Sequence, residues 1–410
     1  MARPRLGSLE NGVKDTPPAQ PRYGATTGDT FEVTGAVPAT PAIASQLEFT
    51  GIGSEYFRIC VVNMLLTVLT LGIYSAWAKV RKTRYFLQNT RLDSHAFDYH
   101  GDPKAILLGR IVALVLLVCY SVAFDVSRAT GLVMVVVMCV IGPWLFMRAQ
   151  RFRFANTSWR GLRFGFDTRP GAAYRFVLLP LVIWFSTIVA TAFLGTGRNV
   201  AHTAGAVAAA GVLTAALTPW MHHRLKAYQH DRARYADEAF SFVPATRAFY
   251  AIYGTAVLLV VLGWMLGFGV VLVAGVIFAT AGGVQPAPKV LAILVGSLIG
   301  LVIFLVAWPY FAARMQQVVW RHTRLGEVRF HSRIEAMPLA RVTFRNVVLT
   351  LATLGLYWPF AAVALARYRV QCMSIESQRP LRVIAQATHA PPGAAAGDAA
   401  LDAFGLDIGL

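Results

Sequence analysis

One pattern constrains this chain more than any other: its two ends carry the same motif. Asn63, Thr67, Thr70, Gly72 and Tyr74 recur as Asn346, Thr350, Thr353, Gly355 and Tyr357, each 283 residues later. Arg84 and Tyr85 return at the same spacing as Arg367 and Tyr368. An ungapped match of that length marks an internal repeat, and a repeat dictates how everything between its copies is read. The connections between apolar segments repeat too. Arg81, Asn89, Thr90, Phe97 and Tyr99 reappear as Arg148, Asn156, Thr157, Phe164 and Phe166. They return as Arg224, Phe240 and Phe242, with Arg232 and Ala233 in place of Asn-Thr, and then as Arg314, His322, Thr323 and Phe330.

The segments joined in this way are those of a membrane protein. Of 410 residues 56% are hydrophobic and only 14% charged, too apolar for an ordinary soluble domain. Runs of about 20 apolar residues match a hydrocarbon core about 30 Å thick. Six of them fall in pairs: 105–124 with 130–147, 172–194 with 200–220, and 250–281 with 290–311. The two motif segments, 57–79 and 340–362, bring the expectation to eight transmembrane segments, with both termini on the far side. The fold class expected is an all-α polytopic membrane protein with short β-strand elements in its connections. Six spans plus two re-entrant segments, broken at Gly72 and Gly355, is the alternative.

Charge sets the orientation. The four long connections carry six, seven, five and seven Lys or Arg, while the short links carry Arg128, Arg198 and Lys289. Basic loops mark the cytoplasmic side, so the net charge of +18 reads as topology and not as nucleic-acid binding. Alternating aromatics at Phe97 and Tyr99, Phe164 and Phe166, and Phe240 and Phe242 predict short strands in these connections, able to pair into a small cytoplasmic sheet. Residues 1–46 and 386–410 have the composition of disordered tails. The four cysteines have no metal or disulfide spacing.

The motif residues resemble the YjgN-type family of bacterial inner-membrane proteins, built around a domain of unknown function. The likeness runs from Phe49, Gly51 and Tyr56 through the Asn63–Trp77 motif, then Lys79, Arg81, Arg84, Tyr85, Asn89 and Thr90. It continues through Thr157, Trp159, Gly161 and Phe164 to Thr350–Phe360, Arg367 and Tyr368. Ala362 where the first copy has Lys79, and the lost Asn-Thr of the third connection, depart from it. The resemblance implies a multi-pass inner-membrane protein and no particular activity.

The candidate functional residues are two polar stripes: Asn63, Thr67, Thr70 and Tyr74, and Asn346, Thr350, Thr353 and Tyr357. Their helical spacing puts each set on one face of a continuous helix, facing a polar path or bonding neighbouring helices. Arg110 is a cation inside an apolar run, close enough to Lys104 to snorkel to the interface. No P-loop, HExxH, GxSxG or paired intramembrane carboxylate is present, so an enzyme, a cofactor and a metal site are not expected. Two functions remain: a transporter or channel-like protein for a small solute, and a non-transporting structural or lipid-associated membrane protein. The expected partner is the lipid bilayer, including anionic headgroups.

Overall fold

The computed structural model describes residues 43–169, 171, 173–175, 182, 200–280 and 287–378. The expected tails, except Ile43–Gln46, and nearly all of the segment 172–194 lie outside them.

The basic connections fold by one recipe. A helix ends, a three-residue strand follows, a two-residue turn reverses the chain, and a five-residue strand leads back to the next helix. The stop is chemical. Asn89 and Asn156 donate through their amides to the carbonyls of Tyr85 and Phe152, at 2.9 and 2.8 Å. Thr90, Thr157 and Thr323 donate to the carbonyls of Phe86, Arg153 and Val319, at 2.8, 3.0 and 2.7 Å. Each helix thereby satisfies last-turn carbonyls that would otherwise be orphaned. The turns need left-handed backbone, found at Asp93 (φ 50°), Ser94 (φ 63°), Arg160 (φ 50°) and Gly161 (φ 79°); positive φ at both central residues is the tight hairpin geometry that matches strand twist.

Nine helices and ten strands are described. The helices are α1 Gly53–Leu69, α2 Ser75–Gln88, α3 Pro103–Val126, α4 Arg128–Ala155, α5 Val200–Asp231, α6 Thr246–Thr280, α7 Ala287–Arg321, α8 Ala336–Ala352 and α9 Trp358–Gln371. The strands are β1 Ile43–Phe49, β2 Thr90–Leu92, β3 His95–Tyr99, β4 Thr157–Trp159, β5 Leu162–Phe166, β6 Ala233–Tyr235, β7 Glu238–Phe242, β8 Thr323–Leu325, β9 Val328–Ser332 and β10 Met373–Ser377. Four described helices are long and apolar enough to cross a membrane: α3, α4, and the stretches Thr246–Ile277 and Leu294–Arg321 of α6 and α7. Gly263 and Gly267 let α6 and α7 approach closely, since a Cβ there would collide with Ile303 and Ile299.

The all-α, eight-span expectation is overturned. The strands are not local decorations: all ten close into one antiparallel barrel. Neighbouring hairpins pair in turn, Phe97 opposite Trp159, Phe164 opposite Tyr235, and Phe240 opposite Leu325. The two chain ends then seal the ring. The first half of β1 pairs with β10, Ile43 opposite Ser377, and its second half with β2, Leu47 opposite Leu92. Closure removes every sheet edge. It also puts β1 and β10 in one ring with the basic connections, against the expectation that both termini lie on the far side.

The motif segments are not single helices either. The first breaks between α1 and α2, the second between α8 and α9, at Leu71 (φ 49°) with Gly72 (φ 92°) and at Leu354 (φ 50°) with Gly355 (φ 92°). Thr70 and Thr353 make the break. Each hydroxyl donates to a carbonyl four residues back, at 2.7 Å, and accepts the amide N–H of Tyr74 or Tyr357, at 2.9 or 3.0 Å. Side-chain bonds of this kind compete with the helix ladder. The re-entrant alternative had these breaks, but not the barrel.

Candidate functional site

The polar stripes are divided by the turns. Asn63 and Asn346 are buried on α1 and α8, whereas Thr70 and Thr353 close the turns. Asn346 donates across its hairpin to the carbonyl of Ala361 at 3.2 Å. The side-chain oxygens of both asparagines are buried without a hydrogen bond. Tyr74 stacks on Trp77 and Tyr357 on Phe360. Arg110 donates to the hydroxyl of Ser75 at the start of α2, within reach of the polar turn. These residues shape two hairpins; no single helix carries either stripe.

A different set of residues converges. The helices that run into the barrel, α2, α4, α5, α7 and α9, bring their last turns together above it, and a cavity of about 340 Å3 fills the space. Closed barrels of about eight strands leave room for side chains or one small ligand, so ten strands can enclose this space. Because the units repeat, their equivalent residues form rings. Deepest are Leu92, Trp159, Tyr235, Leu325 and Ile375, beside Phe97, Phe164, Phe240 and Phe330. Above them come Leu87, Phe154, His230, Trp320 and Val370. At the neck stand Phe86, Arg153, Gln229, Val319 and Arg369, together with Gln150, Lys226, Gln316 and Ala366. The chamber is aromatic below and polar above.

The polar end is cationic, and no Asp or Glu is among the described residues lining it. Lys226 is 7% exposed; burial, and then the nearby charges of Arg153 and Arg369, push its ammonium down to about 7. Burial also lowers Arg369, whose Nε donates to Oε1 of Gln316 at 2.8 Å. His230, pushed down to about 3 by burial and Lys226, is neutral and sits 3.2 Å from the hydroxyl of Thr323. Gln150 is 2% exposed, and its Nε2 has no acceptor. The negative ends of five helices favour cations here, but a helix terminus returns only about 0.3–2 kcal/mol, against several kcal/mol to bury one ion. The neck is therefore electropositive, with a spare donor.

Sequence reasoning counted Arg153 and Lys226 only as loop charges that orient the chain, and gave Arg369, beyond the last long connection, no part. The repeat held the missing signal: Arg153 and Arg369 occupy equivalent places in the last helical turn of their units, and Lys226 lies one turn earlier in its own, at the place of Gln150.

Comparison with known proteins follows the same repeat. Residues 44–403 match the family described as "Bacterial protein of unknown function (DUF898)". The chain is 32% identical over 139 residues to the inner membrane protein YjgN of Salmonella typhimurium, a match covering 33% of this chain and 35% of that protein. It is 33% and 31% identical to the proteins of the same name from Escherichia coli O157:H7 and K12, over 29% of this chain and 30% of each of theirs. The aligned region thus spans about a third of these relatives. No solved structure gives a significant match.

Proposed function

We propose, for a chain that belongs to the family described as bacterial protein of unknown function (DUF898), a lipid-associated and non-enzymatic role: it holds an amphipathic ligand in its barrel. It resides in the bacterial inner membrane, as the names of its relatives have it, and its barrel faces the cytoplasm, where basic connections belong. The observation that carries this reading is the chamber, an aromatic cup under a polar neck. Ligand pockets are mostly apolar with a few convergent polar groups, and span roughly 300–1,000 Å3; this one is at the small end, sized for one acyl chain. The bilayer supplies such molecules at the helices' own surface.

A solute pathway along the motif segments keeps less support, because each stripe ends at a turn after Thr70 or Thr353. The test is native mass spectrometry of the full chain released from detergent. A retained single-chain amphiphile is expected, lost in Leu325→Trp, which fills the cup, and kept in Leu266→Trp on the outer face of α6. Retention that is equal in both variants, or none in the wild type, refutes the reading.

A further inference from the structure

The strands of the barrel pair through their own backbones, and three cations, Arg153, Lys226 and Arg369, stand at the neck above them. They come from three different helices, α4, α5 and α9, and the fold brings them to the same end of the cavity, Arg153 and Arg369 at equivalent places and Lys226 one turn away. The other units place Thr83, Phe86, Gln316 and Val319 at the corresponding positions. The charge thus reaches the neck from two sides, α4 and α5 being neighbours in the ring and α9 standing apart from both, between α7 and α2. No carboxylate is among the described residues that line the cavity. Gln150 adds a buried donor with no acceptor of its own.

We propose that this neck recognises a phosphate monoester, the head of a single-chain amphiphile whose tail lies in the aromatic cup. The assignment rests on the lipid-associated reading above and names its ligand. Arg153 and Arg369 present planar forks that match phosphate oxygens in pairs. Lys226 adds a point charge, and the Gln150 amide donates a further hydrogen bond. A dianionic phosphate balances three cations better than a carboxylate does, and its oxygens accept the several donors on offer. The depressed ammonium of Lys226 agrees with a site whose counter-charge arrives with the ligand, since an adjacent anion restores the charged form.

The experiment is saturable binding of radiolabelled dodecyl phosphate to the full chain in phosphatidylcholine nanodiscs, with empty nanodiscs subtracted. Competition by dodecanoate, neutral monododecanoylglycerol and inorganic phosphate separates head from tail. Dodecyl phosphate is expected to bind at least tenfold more tightly than either other amphiphile, and inorganic phosphate at hundredfold excess to leave it in place. Lys226→Met and Arg153→Gln should each weaken dodecyl phosphate tenfold or more while leaving monododecanoylglycerol unchanged; Lys226→Arg should restore binding. Unchanged neutral binding also serves as the control that the variants are folded. Equal affinity for the phosphate and the neutral amphiphile, untouched by Lys226→Met, overturns the phosphate assignment and leaves the lipid-associated reading standing. No saturable binding of any amphiphile removes both. Inorganic phosphate that displaces the probe at equal concentration reduces the neck to a free-anion site and overturns the proposal.

Discussion

Lys226 is the residue at which stability and the proposed binding pull in opposite directions. Its ammonium is buried on α5, faced by Arg153 from α4 and Arg369 from α9, with the neutral His222 and His230 on its own helix. The folded value is about 7 against an ordinary value of 10.5. Between these pH values the unfolded chain binds a proton that the folded chain does not, so stability rises with pH across that window and is level below it. Lys226→Met is expected to stabilise the ligand-free protein by about 1–3 kcal/mol at pH 7, because replacing a buried charge with an apolar side chain relieves its desolvation. It should also flatten the slope between pH 7 and 10. Thermal unfolding of the full chain in detergent measures both, and an unchanged slope would place the proton elsewhere. A gentler effect belongs to Ser94, which holds left-handed backbone without being glycine. Ser94→Gly should raise stability by about 1 kcal/mol in the same assay. Neither residue stands out in the linear chain, where a lysine among arginines and a serine in a polar loop look unremarkable.

At the scale of elements, the helical hairpins show how one pattern supports two structures. Asn63, Thr67, Thr70 and Tyr74 have the spacing of a single helix face, and periodicity alone favours an unbroken span. The threonine hydroxyl decides otherwise: it takes the amide of the residue four places on, and Leu71 and Gly72 then turn through left-handed backbone. Glycine two places after this threonine was the legible clue, and it is repeated at Gly355. The tips present Leu71 and Leu354, 94% and 95% exposed, a costly display in water and a natural one against acyl chains. Gly72→Val and Gly355→Val should each destabilise by about 1–3 kcal/mol, since a β-branched residue is strained at φ 92°. Thr70→Val and Thr353→Val should each lose about 1 kcal/mol for the hydroxyl's bonds. Similar losses at the two ends of the chain, read from thermal midpoints, would follow from the shared geometry; a loss at only one end would contradict it.

For the whole molecule, closure is the organising fact. The hairpin turns at Ser94, Arg160 and Ala236 all belong to one ring, so single cysteines there should react with an impermeant maleimide from the same side of the membrane. Labelling of any two from opposite sides would break the ring. The seam is testable directly: Ala44 faces Glu376 across β1 and β10, and the cysteine pair Ala44→Cys with Glu376→Cys should crosslink under mild oxidation. By itself the sequence determined what depends on neighbours along the chain. The repeat, the apolar segments, the basic connections and the short aromatic strands all follow from local period, charge and turn chemistry. Only the tertiary structure decided that the strands close, because Ile43 and Ser377 become partners only when the chain's two ends meet. It alone made three dispersed cations into one site, since helix ends far apart in sequence share a neck only after the barrel beneath them has closed.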